Sequence, residues 1–393
     1  MPADPPVGIH DLTFATTSLV LTHEELARHT RAPLAKYHHG IGQRAMSVPA
    51  VDEDVVTLAA DAGKPVVERH GTGRIRTLMF ATETGIDQSK AAGVYVHRLL
   101  GLASHTRVIE LKQACYAGTA ALQLACTLVR SDPAQEVLVL ASDIARYDLD
   151  SPGEATQGAA AVAVLVAADP AIAVIPPPSG LYTRDVMDFW RPNYRTTALV
   201  DGKKSVEAYL EAVDGTWQDY RARNGIPFEG FRAVCYHQPF TRMAHKAHRR
   251  LMSAAGVPHS PEAVLRAVGS TTAYNETLGN SYTASLYLAL TALLDSGTVG
   301  DGEHVGLFSY GSGCVAEFLA ATLQPGHRSA LRTEAHLGAI AHRTPVSYEV
   351  YRELRNRELP TDGAALRLPH QSQGWHRLAG IDSHQRLYEH TGT

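Results

Sequence analysis

The chain has 393 residues, of which 45% are hydrophobic and 19% are charged, and its formal net charge is -4 at pH 7. This length suggests two or three domains, and this composition is that of a compact folded protein rather than a disordered one. The nearly neutral charge and the lack of a long basic block give no support to nucleic acid binding or to attachment to an anionic membrane.

Short β-rich runs alternate with helical runs along the chain, which predicts an α/β fold with buried sheets. Most of the β-rich runs are apolar on both faces, as strands covered by helices on both sides are. In chain order, the candidate strands are residues 76–84, 107–114, 136–143, 159–167, 231–239, 303–313 and 314–323.

The strands before and after residue 170 follow a similar order, which predicts two similar halves, 1–170 and 171–393, built on a duplicated core. One early strand in each half ends in a polar residue, Glu83 in the first half and His237 in the second. We expect both at a shared crevice, where ligands of such folds bind. An insertion over about 179–217 should line this crevice, and a helical tail after about 326 should wrap the second half.

The four cysteines are Cys115, Cys126, Cys235 and Cys314, which form no C-x-x-C pair and are too few for a disulfide framework. No run approaches the ~18 uncharged apolar residues that a membrane span needs, and the first residues, MPADPPVGIHDL, do not resemble a signal peptide. We therefore expect a cytoplasmic protein in a thiol-reducing compartment.

Cys115 stands between a predicted strand and a predicted helix in VIELKQACYAGTAALQLACTLVRSD, residues 108–132. The small residues after it predict a helix buried between layers. The positive end of this helix should lower the thiol pKa from its ordinary ~8.5, and the thiolate would be a nucleophile for an acyl group. An inert buried cysteine is the alternative, and we favour it for the other three cysteines.

Polar residues at the ends of strands could assist such a nucleophile. Glu83 in FATETGIDQSK could be a general base if burial raises its pKa, or a simple helix cap or surface acid. His237 in CYHQPFTRMAHKAHRR could donate to a carbonyl or move a proton. Lys246, on the basic helix that follows, could meet phosphates at a pocket mouth or simply face solvent.

Two turns could contact a carbonyl group. Asn280 leads into a helix, and Gly279 before it would permit a close approach of the backbone. In FSYGSGCVAEF, the backbone N–H groups of the glycine turn, together with Ser312, could form an oxyanion pocket. Each could equally be an ordinary tight turn.

Taken together, these stretches resemble the hydroxymethylglutaryl-CoA (HMG-CoA) synthase family of the thiolase-like superfamily, and most resemble enzymes of actinobacterial mevalonate pathways. The likeness runs over nearly the whole chain and begins at residues 36–62. It continues through ATETGIDQSKA, ELKQACYAGTAALQLA, DFWRPNYRTTALVDGKKSVEAYL, YHQPFTRMAHKA, GNSYTASLYLAL and SYGSGCVAEF.

The resemblance implies a five-layer αβαβα fold, a homodimer, and no metal or redox cofactor. It also implies that Cys115 takes the acetyl group of acetyl-CoA and that Glu83 removes a proton from the acetyl methyl. The enolate then attacks the C3 carbonyl of acetoacetyl-CoA, which His237 binds, and Glu83 protonates the new alkoxide. Water finally cleaves the thioester and releases HMG-CoA.

The resemblance further implies supporting roles. Asn280 and Ser312 position the acyl group, and Lys246 meets the CoA phosphates. Tyr147 and Thr156 line the acyl pocket, while Asp143 and Asp188 hold the site together. Two positions depart from the family pattern: Arg242 stands where lysine is usual, and Cys314 stands where a small residue such as serine is typical. We expect Cys314 to be a second thiol near the site that is sensitive to oxidation.

Three alternatives remain open. A β-branching synthase of a polyketide pathway would use the same three residues on a β-ketoacyl group attached to an acyl carrier protein. A decarboxylating ketoacyl synthase of the Cys-His-Asn type would form its enolate by losing CO₂ and would not need Glu83. A thiolase-like scaffold without turnover would bind acyl groups or a partner only.

Overall fold

The first half of the molecule is built around a five-stranded layer of sheet in a computed structural model that describes residues 5–392. The strands of this layer lie in the order β1-β7-β6-β4-β5. The elements of this half are β1 (Val7–Thr16), β2 (Leu19–Thr22), α1 (His23–His29), β3 (Ala45–Val48), α2 (Val55–His70), β4 (Ile75–Ala81), α3 (Ala92–Leu99), β5 (Arg107–Leu111), α4 (Ala117–Ser131), β6 (Glu136–Ile144) and β7 (Ala159–Ala168).

The second half begins after a short loop and contains its own layer of sheet in the order β12-β13-β14-β9. Its elements are β8 (Ala173–Val174), β9 (Gly180–Thr183), β10 (Phe189–Trp190), β11 (Leu199–Val200), α5 (Gly202–Ala222), β12 (Phe231–Tyr236), α6 (Thr241–Ala254), α7 (Pro261–Thr272), α8 (Asn275–Leu278), α9 (Ser285–Asp295), β13 (His304–Gly311) and β14 (Val315–Leu323). The two-residue strand β8 pairs with both β1 and β14 and so joins the two layers.

The pairing of the strands repeats between the halves. In the first half, β4 runs parallel to β6, while β6–β7 and β7–β1 are antiparallel. In the second half, β12 runs parallel to β13, while β13–β14 and β14–β9 are antiparallel. This correspondence confirms the predicted duplication, and it places Glu83 after β4 and His237 after β12 at equivalent points of the two halves.

Three apolar clusters separate the layers. Along β7, Val162 and Val164 face the central helices α4 and α9, whereas the alternate residues Ala161 and Ala163 face α2 and α3 on the outside. The outer helices α5 and α6 cover the other sheet, where Phe318 of β14 belongs to their cluster. Helix, sheet, helix, sheet and helix therefore follow one another, as predicted.

The helix after Cys115 lies deep in this stack, as its small residues predict. Ala117, Gly118, Thr119 and Ala121 of α4 are buried. A Cβ atom on Gly118 would lie 2.8 Å from the carbonyl oxygen of Thr283, so glycine permits close contact with the segment that leads into α9. None of the helices between residues 5 and 392 has the length and apolar character needed to cross a membrane.

The predicted insertion over 179–217 is mostly part of the core of the second half. Residues 180–183 form β9, which pairs with β14, and residues 202–222 form α5, which packs on both strands. The predicted insertion was too long because the charged residues on the outer face of α5 made this core helix resemble part of a surface segment. Only the segment from 184 to 200, with the small hairpin β10–β11, lies outside the core layers.

Most of the tail packs on the first half, contrary to the prediction that it wraps the second half, and it is not wholly helical. Its first helix is also tied to the second half, where Thr333 and His336 bond to Asp295. The tail consists of α10 (Thr333–Ala341), β15 (Thr344–Pro345), α11 (Tyr348–Asn356), β16 (Leu366–Arg367), β17 (His376–Asp382) and β18 (Gln385–His390). Buried carboxylates of the first half attract it: Asp52 pairs with Arg377, Asp54 with Arg386, and Asp61 with His376. Strands β17 and β18 therefore pack on α2 and α3.

Candidate active site

Cys115 and Glu83 meet at the same edge of the first sheet. Strands β4 and β5 are parallel neighbours, Glu83 lies two residues after β4, and Cys115 lies four residues after β5. The Cys115 thiol donates to Oε2 of Glu83 at 3.5 Å. The second carboxyl oxygen of Glu83, Oε1, is buried and has no hydrogen-bond partner within residues 5–392. The structure therefore joins a nucleophile directly to a proton acceptor.

The environment of this pair raises both pKa values. Burial, reinforced by the charge of Asp143, raises the pKa of Glu83 to about 8, against the opposing effects of Arg191 and the thiol. Burial and the charges of Glu83 and Asp143 raise the pKa of Cys115 well above its ordinary value. The prediction that a helix end would lower the thiol pKa is therefore wrong, because two carboxylates and burial outweigh it. Near neutral pH, at most one group of the pair is ionised.

Asp143 fixes the loop that carries Glu83. Its buried carboxylate accepts six hydrogen bonds, from the backbone amide of Glu83, the hydroxyl of Thr82, and the amides and hydroxyls of Thr84 and Thr283. Because Thr283 belongs to the second half, the same carboxylate also joins the two halves. Asp143 thus fixes the loop of Glu83 by direct hydrogen bonds.

Aromatic rings enclose the thiol. Tyr147 and Tyr282 are buried with Cys115 and Phe189 in one small apolar cluster. The ring centroids of Tyr147 and Phe189 are 6.1 Å apart, and those of Phe189 and Tyr282 are 5.8 Å apart, each in an edge-to-face arrangement. Such a lining excludes water from a group bound to the sulfur.

Asn280 lies next to this cluster because of a close backbone contact. The side-chain Oδ1 of Asn280 accepts a hydrogen bond from the backbone amide of Tyr282. The backbone amide of Asn280 donates to the backbone carbonyl of Thr156 at 3.0 Å. Gly279 has φ +80°, and a Cβ there would lie 1.9 Å from the carbonyl oxygen of Gln157, so glycine permits a close approach of the two backbone segments. Thr156 is buried, and its hydroxyl donates to the carbonyl of Gly153.

His237 approaches the site from the second half. Burial alone lowers the pKa of His237 to about 3, so the imidazole is neutral, and its Nδ1 has no partner in the described chain. The hydroxyl of Tyr209 donates to the His237 carbonyl at 2.7 Å. Burial raises the pKa of Tyr209 well above its ordinary value, and the charge of a Cys115 thiolate nearby adds to this effect. A neutral imidazole has one N–H to donate.

A cavity of about 540 Å³ opens beside Glu83, and its far wall is the glycine turn between β13 and β14. Two amides of this turn are already bonded: that of Gly313 donates to Asp188, and that of Cys314 donates to the carbonyl of Arg184. Only the amide of Ser312 has no partner among the described residues. The predicted oxyanion pocket therefore has fewer donors here than the turn alone suggested.

Asp188 is buried and braces the glycine turn. It accepts from the hydroxyl of Tyr310 at 2.8 Å and from the amide of Gly313 at 2.9 Å. Cys314 also belongs to the cavity wall, but burial raises its pKa to about 11, which disfavours the thiolate needed for oxidation. The expected sensitivity to oxidation therefore receives no support.

Lys246 and Arg242 lie on α6, away from the thiol. The Lys246 ammonium lies 5.4 Å from the ring centroid of Phe240 and forms no ion pair in the described chain. Arg242 donates to the carbonyl of His39 at 3.1 Å. Arg242 lies beside the segment 36–42, which contacts α6.

Sequence reasoning missed three groups at the site. Tyr282, next to Asn280 in GNSYTAS, encloses the thiol, and Thr283 beside it binds Asp143. Arg191 in DFWRP lines the same cavity as Glu83. The nearby motifs of Asn280 and Asp188 could have drawn attention to these neighbours, but nothing in their own spacing predicts the contacts.

Comparisons with known proteins agree over most of the chain. The family described as hydroxymethylglutaryl-coenzyme A synthase N terminal matches residues 2–171, and its C-terminal counterpart matches residues 176–255 and 254–361. The hydroxymethylglutaryl-CoA synthase of Enterococcus faecalis is 38% identical over 357 residues, which cover 91% of this chain and 93% of that protein.

The polyketide biosynthesis 3-hydroxy-3-methylglutaryl-ACP synthase PksG of Bacillus subtilis is 34% identical over 366 residues, which cover 88% of this chain and 86% of that protein. A crystal structure of an HMG-CoA synthase complexed with CoA superposes with a TM-score of 0.93 at 38% identity, covering 98% of this chain and 100% of that chain. These matches also confirm the thiolase-like fold. The chain belongs to the hydroxymethylglutaryl-CoA synthase family of condensing, acyl-transferring enzymes.

Proposed function

We propose that the protein condenses acetyl-CoA, carried as acetyl-Cys115, with acetoacetyl-CoA and water to give HMG-CoA and CoA, the reaction of the mevalonate pathway. The observation that carries this proposal is the 3.5 Å contact between the Cys115 thiol and the Glu83 carboxyl. A decarboxylating synthase would not need a base at this point, because loss of CO₂ itself forms the enolate. Glu83 therefore favours condensation by proton removal.

Acetyl transfer begins with the pair of Cys115 and Glu83. The carboxylate accepts the thiol proton, and the thiolate attacks the thioester carbon of acetyl-CoA. The free amide of Ser312 is positioned in the cavity wall to stabilise the negative oxygen. The C–S bond to CoA then breaks, and the CoA sulfur takes the proton from Glu83, which restores the carboxylate.

Condensation uses the same carboxylate a second time. Glu83 removes a proton from the methyl group of acetyl-Cys115, and the enolate carbon attacks C3 of acetoacetyl-CoA. Neutral His237 can donate a hydrogen bond to the C3 carbonyl, which draws charge toward that oxygen. Glu83 returns its proton to the alkoxide, and water then cleaves the thioester at Cys115. Tyr147, Thr156 and Asn280 would hold the acyl groups in place during these steps.

The CoA end of the substrates would lie at α6. Lys246, which has no ion pair among the described residues, is the proposed contact for a CoA phosphate, and Arg242 lies on the same helix. A guanidinium binds phosphate as well as an ammonium does, so the arginine is compatible with this role.

Mass spectrometry tests the first step directly. After brief mixing with acetyl-CoA, the peptide that contains Cys115 should gain one acetyl group, and addition of acetoacetyl-CoA should remove it with formation of HMG-CoA. Cys115→Ser should show no acetylated peptide, and His237→Ala should be acetylated but should condense slowly. An unmodified Cys115 in the wild-type protein would instead favour a scaffold without turnover.

A carrier-protein substrate is the second candidate, because PksG is 34% identical over 88% of this chain. The two candidates share the chemistry at Cys115 and differ in what carries the β-ketoacyl group. Comparing free acetoacetyl-CoA with the same acyl group on a carrier protein separates them. Turnover with the CoA ester alone supports our proposal, and turnover with the carrier alone supports the alternative.

We also propose a homodimer, a cytoplasmic location and no requirement for a metal or redox cofactor. The edge strand β5 supports a dimer, because within the described residues only β4 pairs with it and Ile109 is 41% exposed. The four unpaired cysteines agree with a reducing compartment. Light scattering should give twice the mass of one chain, Ile109→Lys should reduce it, and dialysis against a chelator should leave turnover intact.

A further inference from the structure

Arg191 lines the cavity that contains Glu83, yet it is bonded to nothing there. It follows the hairpin strand β10, and its guanidinium forms no hydrogen bond or ion pair with any residue from 5 to 392. Arg184, which lines the same cavity, pairs with Glu211. Arg191 therefore presents a charge that the described protein does not neutralise by direct contact.

Two more guanidinium groups share this corner of the site. Arg146, next to Tyr147, has no side-chain partner in the described chain, and Arg355 donates only to the carbonyl of Tyr147, with its Nε buried and unpaired. Burial and the charges of Arg355 and Arg191 lower the pKa of Arg146 to about 10. The carboxylate of Asp143 is already occupied by six hydrogen bonds and pairs with none of the three. The corner therefore favours an anionic ligand.

The proposed reaction produces one full negative charge at its acyl end. Acetyl and acetoacetyl groups are neutral, and the CoA phosphates lie at the far end of the pantetheine arm. Hydrolysis of the final thioester forms a bond from water oxygen to the acyl carbon and breaks the bond to the Cys115 sulfur. The sulfur keeps one proton, the second leaves through Glu83, and a carboxylate remains beside the cavity.

Resting on the proposed function, we infer that Arg191, with Arg146 nearby, binds the carboxylate of the HMG product after it leaves Cys115. Glu83 and Arg191 line one cavity without a bond between them, so a ligand carboxylate can lie between the two. Protonated Glu83 would donate one hydrogen bond to it, and the Arg191 guanidinium would donate a charge-assisted pair. Arg191 is thus assigned as a specificity residue for the anionic acyl group.

Calorimetry with three ligands tests this assignment. In a Cys115→Ala background, which prevents turnover, the protein is titrated with CoA, acetoacetyl-CoA and HMG-CoA. Arg191→Gln should weaken HMG-CoA binding by about tenfold or more, as expected for loss of a charged hydrogen-bond partner, and change the other two by less than about twofold. Arg191→Lys should retain part of the preference. Arg195→Gln is the matched control, because Arg195 lies on the same segment but pairs with Asp148 at 3.0 Å.

The other possible results of the titrations are interpreted as follows. If HMG-CoA binding is unchanged in Arg191→Gln, the assignment is wrong. If all three ligands weaken equally, Arg191 contacts the CoA portion and the assignment is also wrong. Unchanged CoA binding shows that the variant is folded. If the Cys115→Ala protein with Arg191 intact binds none of the three ligands, the proposed function fails, and this inference fails with it.

Discussion

The thiol of Cys115 donates to the carboxyl of Glu83, which stands 32 positions earlier in the chain, at 3.5 Å. The contact follows from the sheet, because β4 and β5 are parallel neighbours and release their loops at the same edge. Neither loop alone creates the chemistry. The pair depends on Asp143 at the end of β6, the other neighbour of β4, which binds the amide of Glu83.

Replacing Glu83 by glutamine should slow the condensation step far more than the acetylation of Cys115. The amide cannot accept a proton, so removal of the methyl proton should slow by about 10²–10⁴-fold, the usual contribution of a general base. Acetylation of Cys115 should slow as well, because Glu83 also accepts the thiol proton, but the acetylated peptide should still accumulate and be detected by mass spectrometry, whereas HMG-CoA formation should fall. Glu303→Gln, an exchange on the surface, should leave both steps unchanged. Full condensation activity in Glu83→Gln would contradict the mechanism.

The pH dependence of condensation should report the raised pKa of Glu83. The base is active as the carboxylate, and burial with the charge of Asp143 raises its pKa to about 8. The active fraction therefore grows as pH rises, so the rate with pre-acetylated enzyme should increase with a midpoint near 8. Stopped-flow or quench measurements across this range give the profile. A midpoint near the ordinary glutamate pKa of about 4.3 would exclude Glu83 as the titrating base.

Asp143→Asn should damage both stability and activity. The amide nitrogen of asparagine would face donors, so part of the six-bond cluster around Thr82, Thr84 and Thr283 would be lost. We expect unfolding to become easier by about 1.5–3 kcal/mol, the range for hydrogen bonds to a charged group, measured by urea denaturation. Asp132→Asn, at the exposed end of α4, is the control. A stable variant with full activity would show that Asp143 does not fix the Glu83 loop.

The strands of both sheets could be predicted because their signal is local. Runs such as 136–143 and 159–167 are apolar on both faces, and the structure places them in the middle of the first sheet. The strand predicted over 231–239 ends earlier, at Tyr236, because the amide of Gln238 donates to the hydroxyl of Ser285 and not to a neighbouring strand. The tail strands β17 and β18 were missed because β18 is polar and partly exposed, and because the apolar run of the mostly buried β17 is short and flanked by charged residues. Their position depends on buried carboxylates more than 300 residues earlier in the chain.

The site could be predicted in part for the same reason. Cys115, Glu83 and His237 each follow a recognisable strand, so their residue types and positions were visible. The pKa of the thiol was not, because its main causes are burial and two carboxylates that come from other strands. The hydrogen bonds of the glycine turn could not be predicted either, since their acceptors, Asp188 and Arg184, belong to a different segment of the chain.

Gly279→Ala should be costly because of a specific overlap. The added Cβ would lie 1.9 Å from the carbonyl oxygen of Gln157, and Gly279 also has φ +80°. Gly256→Ala is the matched control, with φ +71° and open space around the Cβ, so it measures backbone strain alone. We expect Gly279→Ala to lose about 1–3 kcal/mol more than Gly256→Ala, the usual cost of overpacking. Equal losses in thermal or urea unfolding would mean that the close contact between Gly279 and Gln157 is not important for stability.

Arg377→Gln tests whether the tail stabilises the first half. Asp52 is fully buried and accepts from the Arg377 side chain and from the tail backbone at Gln371 and Ser372. Removing the cation leaves a buried carboxylate with hydrogen bonds but no counter-charge, so unfolding should become easier by about 3 kcal/mol. Urea denaturation measures this, and Arg367→Gln on the exposed side of β16 should change little.

The double variant Asp52→Asn with Arg377→Gln distinguishes charge from packing. It carries no buried charge, so it should be more stable than Arg377→Gln alone, although it also lacks the ion pair. A double variant less stable than either single one would show that side-chain packing, rather than the unpaired carboxylate, causes the loss. The first result would support our explanation for the position of the tail: its basic residues are held on the first half by the carboxylates that α2 and the residues before it bury.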